Sequence, residues 1–355
     1  MKRRAIAAGN VGIDISPIFP GGERTSMEEV FRPGDIVHVE GAEVHPGGGA
    51  INTGIGMNLF GVETTIVGRI GEDHLGEILL QMIKDHGAPE ALVKDGNAHT
   101  AYSIILAVPG MDRVILQNPG ANDRFSGGDV DESLMERRHL FHFGHPPSME
   151  KIYSDDGKEL ADLFRRMRRG GLVTSLDLCA VDPASPAGKQ DWREILKNVL
   201  PFVDFFLPSR RELAYMLGKD DSGEVEELAG ISHALGAGNV VIKMGKEGMY
   251  FSTGGAEIIR GVEEKLEMEA GTLDSWIDRR GSRPSYPIEK EVSGLGAGDT
   301  SIAALLSALL QEFSLEESLY LGAAEGALCV TAYDTFSGLV PFEDLLGPGK
   351  LQLKL

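Results

Sequence analysis

The stretch Val292-Ser293-Gly294-Leu295-Gly296-Ala297-Gly298-Asp299-Thr300-Ser301 runs straight into the apolar segment Ile302 to Leu310. Its glycines let the backbone turn so that successive N–H groups face one concavity. The segment behind them has the length and apolar content of a buried helix. A helix starting there adds roughly half a positive charge at its first turn. Glycine turn and helix N-terminus together make an anion site, and phosphate is its natural occupant. Asp299 stands at the mouth of that site, where a carboxylate can accept the proton of an attacking hydroxyl. The plainer reading, a tight turn whose aspartate caps the helix, uses the same residues.

Outward from that turn, short apolar runs alternate with helix-length periodic segments, the pattern of a mainly parallel sheet flanked by helices on both faces. The class is α/β. Ala5 to Ile13 is expected to form the first strand, Gly49 to Leu59 a helix and Thr64 to Val67 a strand. His74 to Asp85 reads as a helix capped by Asp73 and ended by Gly87, with Leu75, Ile78, Leu79, Met82 and Ile83 on one side. Leu140 to Phe143, Val173 to Asp177, Phe202 to Leu207 and Val240 to Met244 suit buried strands. Ile36 to Val44 and Ala101 to Gln117, the latter with a Pro109-Gly110-Met111-Asp112 turn, break the alternation and read as hairpins or edge strands outside the main sheet. Val262 to Ile288 is polar, carries Trp276 and an arginine cluster, and has no clean period, so it is expected to be a surface insertion.

Composition removes several classes of function. With 355 residues, 42% hydrophobic and 25% charged, 46 Gly and 17 Pro, the chain is neither disordered nor collagenous and is long enough to bury a large core. Its two cysteines, Cys179 and Cys329, lie far apart in apolar runs, which fits a reducing cytoplasm rather than a disulfide framework or zinc cluster. The basic start Met1-Lys2-Arg3-Arg4 is followed by a run broken at Gly9, Asn10, Gly12 and Asp14, so it reads as a strand and not as a leader. No stretch approaches the ~18 to 20 apolar residues of a membrane helix. A net charge of -20 repels a nucleic-acid backbone over most of the surface. A small phosphorylated molecule held by local dipoles remains compatible with that field.

A second glycine-rich stretch, His45-Pro46-Gly47-Gly48-Gly49-Ala50-Ile51-Asn52, also opens a helix. Its glycines expose backbone to a ligand, and Asn52 offers both a donor and an acceptor, which suits a polyhydroxylated substrate. A loose loop with Asn52 bonded to local backbone is the plainer alternative. Asp14, at the end of the expected first strand, is a third candidate for binding hydroxyls, although an aspartate there is more often a turn residue.

Gly47-Gly48 with Asn52, then Gly68-Arg69-Ile70-Gly71-Glu72-Asp73-His74-Leu75-Gly76, and the late Gly296-Ala297-Gly298-Asp299 together resemble the two signatures of the ribokinase-like carbohydrate kinase family. Pro119-Gly120-Ala121-Asn122 and Gly245-Lys246-Glu247-Gly248 fall where that family has comparable segments, so the resemblance spans nearly the whole chain. It implies one ribokinase-like domain over 1–355, with lid segments at about 15–46 and 98–120 that often form a dimer interface, besides the insertion at about 262–288. It implies an ATP-dependent kinase acting on a hydroxyl of a sugar, sugar derivative or nucleoside. Asp299 would be the base, Gly296, Ala297 and Gly298 would supply the anion hole, and Asp14, Gly47, Gly48 and Asn52 would bind the acceptor.

The departures are as specific as the matches. Ser293-Gly294 stands where the family usually has Asp-Thr, so a monovalent-cation site is not expected to operate here. Ser209-Arg210-Arg211-Glu212 replaces Asn-x-x-Glu, keeping Glu212 for magnesium through water and leaving Ser209 on the nucleotide side. Lys243, near Gly245 in the expected nucleotide region, either reaches a phosphate or lies on the sheet edge. Two other functions use similar features. One is a degenerate fold acting as a sugar or nucleotide sensor, suggested by Ser209 and Ser293. The other is a dinucleotide-dependent oxidoreductase, for which Gly9-Asn10-Val11-Gly12-Ile13-Asp14 lacks the required G-x-G-x-x-G spacing.

Overall fold

A computed structural model describes residues 2–22, 26–111 and 113–346. Residues 23–25 and 112 of the expected lid segments, and residues 1 and 347–355 of the expected domain, lie outside the described residues. The main sheet has the order β14-β13-β12-β11-β10-β9-β1-β4. From its far edge these strands are Arg280–Arg283, Met249–Ser252, Asn239–Lys243, Phe205–Phe206, Val173–Leu176, Leu140–Gly144, Ala5–Gly9 and Thr64–Val67. All neighbours from β12 to β4 pair parallel, while β13 and β14 are antiparallel.

Successive side chains leave the sheet on opposite faces, and both faces are covered. Phe141 and Phe206 enter one core with helices α3 (Glu150–Arg169), α4 (Trp192–Val199), α5 (Arg210–Met216) and α6 (Val225–Ala234). Their neighbours Leu140 and Phe205 enter the other, with α7 (Ala256–Lys265), α8 (Ala297–Leu310), α9 (Leu315–Cys329) and α10 (Phe342–Leu346). Helix α1 (Gly49–Leu59) lies against α8, and α2 (His74–Asp85) closes a third cluster with it. The bounds of α1, α2 and β4 match the sequence reading, and Asp73 caps α2 by accepting from the Gly76 amide at 2.9 Å.

The expected first strand is two. β1 ends at Gly9, whose left-handed backbone (φ 132°) packs on Gly144, and the chain leaves the main sheet to begin β2 (Gly12–Ile18). At the break, Val11 finds a substitute for ladder bonds: its N–H donates to Asn122 Oδ1 (3.2 Å) and its carbonyl accepts from Asn122 Nδ2 (2.8 Å). No helix follows β1, so this turn has no dinucleotide-binding geometry. Asp14 therefore sits within a second sheet rather than at the end of the first strand. That sheet, β3-β2-β7-β8, contains β3 (Gly41–Gly47), β7 (Tyr102–Leu106) and β8 (Val114–Asn118). The strand expected at Ile36 starts five residues later, at Gly41, and residues 36–40 form none. A short pair, β5 (Arg69–Gly71) and β6 (Val93–Asp95), completes the strands among the described residues.

The surface-insertion reading of 262–288 is corrected by the packing. Leu266, Leu273 and Trp276 are fully buried in the core with α8 and α9. The Trp276 ring stands edge-on to Phe205 at 6.0 Å, and its Nε1 donates to the Phe313 carbonyl at 3.3 Å. Arg280–Arg283 forms β14 of the main sheet. The segment looked polar because its few core residues are separated by turns, and because buried Glu263 accepts from the Gly271 and Leu273 amides and from Arg260.

Candidate active site

The carboxyl ends of β1, β9, β10 and β12, the start of α1 and the start of α8 meet beneath the second sheet. At α8, Gly296 is left-handed (φ 72°), and a side chain there would run into Thr335. The turn thus delivers Ala297, Gly298 and Asp299 as the first helical residues, whose N–H groups have no partner within the helix. Lys243, at the end of β12, is not on the sheet edge. Its ammonium donates to both Asp177 oxygens (2.7 and 2.8 Å), and a Cβ on Gly298 would lie only 3.3 Å from Nζ. A cation, a helix N-terminus and a bare glycine backbone therefore converge on one spot.

Asp299 is buried and held by two donors. Asn52, on the first turn of α1, donates from Nδ2 to Oδ2 at 2.8 Å, and His145, just past β9, meets Oδ1 with Nε2 at 3.1 Å. Burial would raise the carboxyl, but the His145 charge and hydrogen bond, Lys243 and the Asn52 bond outweigh it and hold Asp299 below the usual carboxylate range. Burial likewise works against a charged His145, and Asp299 overcomes it, lifting the imidazole to about 9. At neutral pH the two form an imidazolium–carboxylate pair. A carboxylate has about four acceptor positions, so the two donors leave room for a hydroxyl.

Asp14 faces this pair from β2, paired across the sheet with His45 on β3 and Ser103 on β7. Burial pushes its carboxyl up to about 6, against the Ser103 hydrogen bond and helped by the Asp299 charge. Gly47 lies directly over the Asp14 carboxylate, where a Cβ would collide with it. Gly48 is left-handed (φ 96°), with a Cβ position 2.5 Å from the Asn10 carbonyl. The candidates Asp14, Gly47, Gly48, Asn52, Asp299 and the Gly296–Gly298 turn are thus neighbours, although 247 residues separate Asn52 from Asp299.

The nucleotide-side candidates are more dispersed. Ser209 is the N-cap of α5 in a capping box: its N–H donates to Glu212 Oε2 (2.9 Å) and its hydroxyl accepts from the Glu212 amide (3.3 Å). Ser209 bridges Lys243 through the backbone. Gly245 is a left-handed turn residue (φ 58°) with open space around it. His145 and Asp177 are the site residues sequence reasoning missed. Their signal was faint: polar residues inside or just past apolar strand runs.

His145, Asp177 and Asp299 bring potential ligand atoms within 4.8 Å of one another. As a metal cage this set does not fit, because Asp177 is already paired with Lys243 and Asp299 with His145. Glu212 fits a hydrated magnesium better, since only one of its oxygens serves the cap of α5.

A family model described as pfkB family carbohydrate kinase matches residues 22–341. A sugar kinase of Archaeoglobus fulgidus, itself uncharacterized, is 25% identical over 80% of this chain and 98% of its own. Fructokinase-1 of Oryza sativa is 25% identical over 81% of this chain and 82% of its own. Among solved structures, Arabidopsis thaliana ribokinase complexed with ribose and ATP superposes with a TM-score of 0.72 at 19% identity, covering 98% of both chains. Methanocaldococcus jannaschii nucleoside kinase gives 0.67 at 16% identity, covering 97% of both.

Proposed function

The chain belongs to the pfkB family of carbohydrate kinases and has the ribokinase-like α/β fold, and on that premise we propose that it transfers the γ-phosphoryl group of ATP to a hydroxyl of a sugar, sugar derivative or nucleoside. The observation that carries the reading is the convergence of Asp299, the amides of the Gly296–Gly298 turn and the Lys243 ammonium on one spot. In this reading the acceptor hydroxyl hydrogen-bonds to Asp299, and its oxygen attacks the γ-phosphorus as the bond to the β-phosphate oxygen breaks and ADP leaves. Asp299 takes the hydroxyl proton. The Ala297, Gly298 and Asp299 N–H groups face the charge that spreads over the phosphoryl oxygens, so little remains to reorganise at the moment of transfer. Asp14 and Asn52 hold the acceptor at the carboxyl ends of the strands, under backbone that Gly47 and Gly48 keep bare. Glu212 would hold magnesium through water, and the ion would neutralise phosphate charge.

The test is ADP release from ATP and magnesium across pentoses, hexoses, sugar acids, sugar phosphates and nucleosides. Acceptor-dependent ADP release supports the kinase. Tight binding of an acceptor with no ADP release would favour a sensor instead.

Potassium is expected to change kcat less than about twofold at constant ionic strength, a change worth under about 0.5 kcal/mol. Ser293 brings no charge, and the Val330 carbonyl nearby already accepts from the Val292 and Ser293 amides (2.7 and 3.2 Å). Steady-state rates in potassium and tetramethylammonium chloride check this, and strong activation would require a site built from other oxygens.

A second copy is proposed to pair through the lid. β8 is an exposed edge strand, with Val114, Ile115 and Leu116 41 to 50% open to solvent, and apolar edges of this kind recruit another strand. Sedimentation should show a dimer that Leu116→Glu converts to monomer.

A further inference from the structure

His145 has an unusual position for a histidine. Its backbone is left-handed (φ 62°, ψ 48°), a conformation that non-glycine residues rarely adopt because Cβ crowds the following carbonyl oxygen. It directly follows Gly144, whose backbone packs on the first residue of α1. The ring lies over Gly49, where a Cβ would come within 2.9 Å of the ring carbons. The third glycine of Gly47-Gly48-Gly49 thus makes room for this ring rather than for a ligand. From that slot Nε2 reaches Asp299 Oδ1 at 3.1 Å, opposite the Asn52 bond to Oδ2.

We propose that His145 is a positioning residue for phosphoryl transfer: with Asn52 it clamps the Asp299 carboxylate in one orientation, and its positive charge keeps that carboxylate ionised and ready for the acceptor proton. The inference rests on the base role of Asp299 given above. The charges around His145 come from several elements: Asp299 on α8, Asp177 after β10, Glu212 on α5, Asp14 on β2, and His142 on β9. Lys243 on β12 also acts on Asp299. Carboxylates dominate this set. The imidazole therefore remains protonated through neutral pH and loses its proton near pH 9.

The deciding experiment is the pH profile of kcat for wild type, His145→Gln and Gly49→Ala, with ATP and acceptor saturating. Wild type should lose activity on an alkaline limb near pH 9, where the clamp loses its charge. The glutamine of His145→Gln keeps a donor but no charge, so the alkaline limb should vanish and the acidic limb move to higher pH. Plateau kcat should fall about tenfold or more while KM for ATP stays within about threefold, because the loss falls on orientation in the transition state. Gly49→Ala pushes the ring aside without removing it, so kcat should fall while an alkaline limb persists. A His145→Gln profile that superimposes on wild type overturns the proposal, as does unchanged kcat in Gly49→Ala. If His145→Gln fails to fold, Gly49→Ala and the wild-type alkaline limb decide. The base reading fails separately, if an Asp299 variant keeps more than about a tenth of wild-type kcat.

Discussion

Asp299→Ala should lower kcat by at least about a hundredfold while leaving the affinities for ATP and acceptor within about tenfold, because a positioned base acts in the transition state and typically contributes that much or more. Alanine also strips His145 of its counter-ion. The half-buried imidazole would then fall from about 9 toward the neutral form that desolvation favours. Asp299→Asn separates the two effects. It keeps the shape of the carboxylate and an oxygen for Asn52, so the variant should fold with kcat as low as the alanine enzyme. His145 should then titrate well below its wild-type position, which its imidazole proton resonances would report. Rapid mixing with ATP and acceptor should show no burst of ADP, placing the loss in the chemical step. If either variant keeps more than about a tenth of wild-type kcat, Asp299 is not the base.

What could be read from the sequence divides along the range of the interaction. Helix α2 was legible to its ends because Asp73, its own apolar stripe and Gly87 are local signals, and the Asp73 cap reaches only three residues. α1 and the turn into α8 were legible because glycine runs announce backbone that must bend or be approached. The break between β1 and β2 was not. It depends on Asn122, 111 residues away, to replace the ladder bonds of Val11, and Gly9, Asn10 and Gly12, which interrupt the run locally, do not by themselves say that the chain changes sheet there.

The same limit applies at the site. Asn52 and Asp299 were each recognisable, but nothing local says that they touch. His145 reads as an ordinary residue before two prolines until the fold brings it across 154 residues to Asp299. Gly49 belonged to a run read as ligand-facing, and the histidine that needs it closes the explanation only in three dimensions. The 262–288 segment failed for a different reason. Its burial rests on Leu266, Leu273 and Trp276, too widely spaced to form a helical or strand period, with Asp274 among them paired to Arg260 on the surface and the preceding Glu263 capping the turn through the Gly271 and Leu273 amides.

Asp14→Asn should move binding and stability in opposite directions. The folded carboxyl titrates near 6, above its ordinary value of 3.8, because burial disfavours its charge. Ionisation is therefore penalised in the folded state: the cost is absent below about pH 4, grows between there and pH 6, and is fully present above. Asparagine carries no charge and escapes that cost, so the variant should gain roughly 1 to 3 kcal/mol at pH 7 to 8, the lower end reflecting the part of Asp14 open to solvent. Thermal unfolding followed against pH would show a higher Tm than wild type above pH 6 and convergence near pH 4. Acceptor binding should suffer instead. A charged acceptor of a buried hydroxyl is worth about 1.5 to 3 kcal/mol, so acceptor affinity should drop at least about tenfold, while ATP affinity measured without acceptor stays near wild type. Wild type itself should show the same dependence, with acceptor KM rising as pH falls below 6 and Asp14 takes up its proton, a slope that Asp14→Asn should lack. A variant that lost ATP affinity and Tm together would make Asp14 a structural residue of the second sheet, and the acceptor would then be held by Gly47, Gly48 and the strands above them.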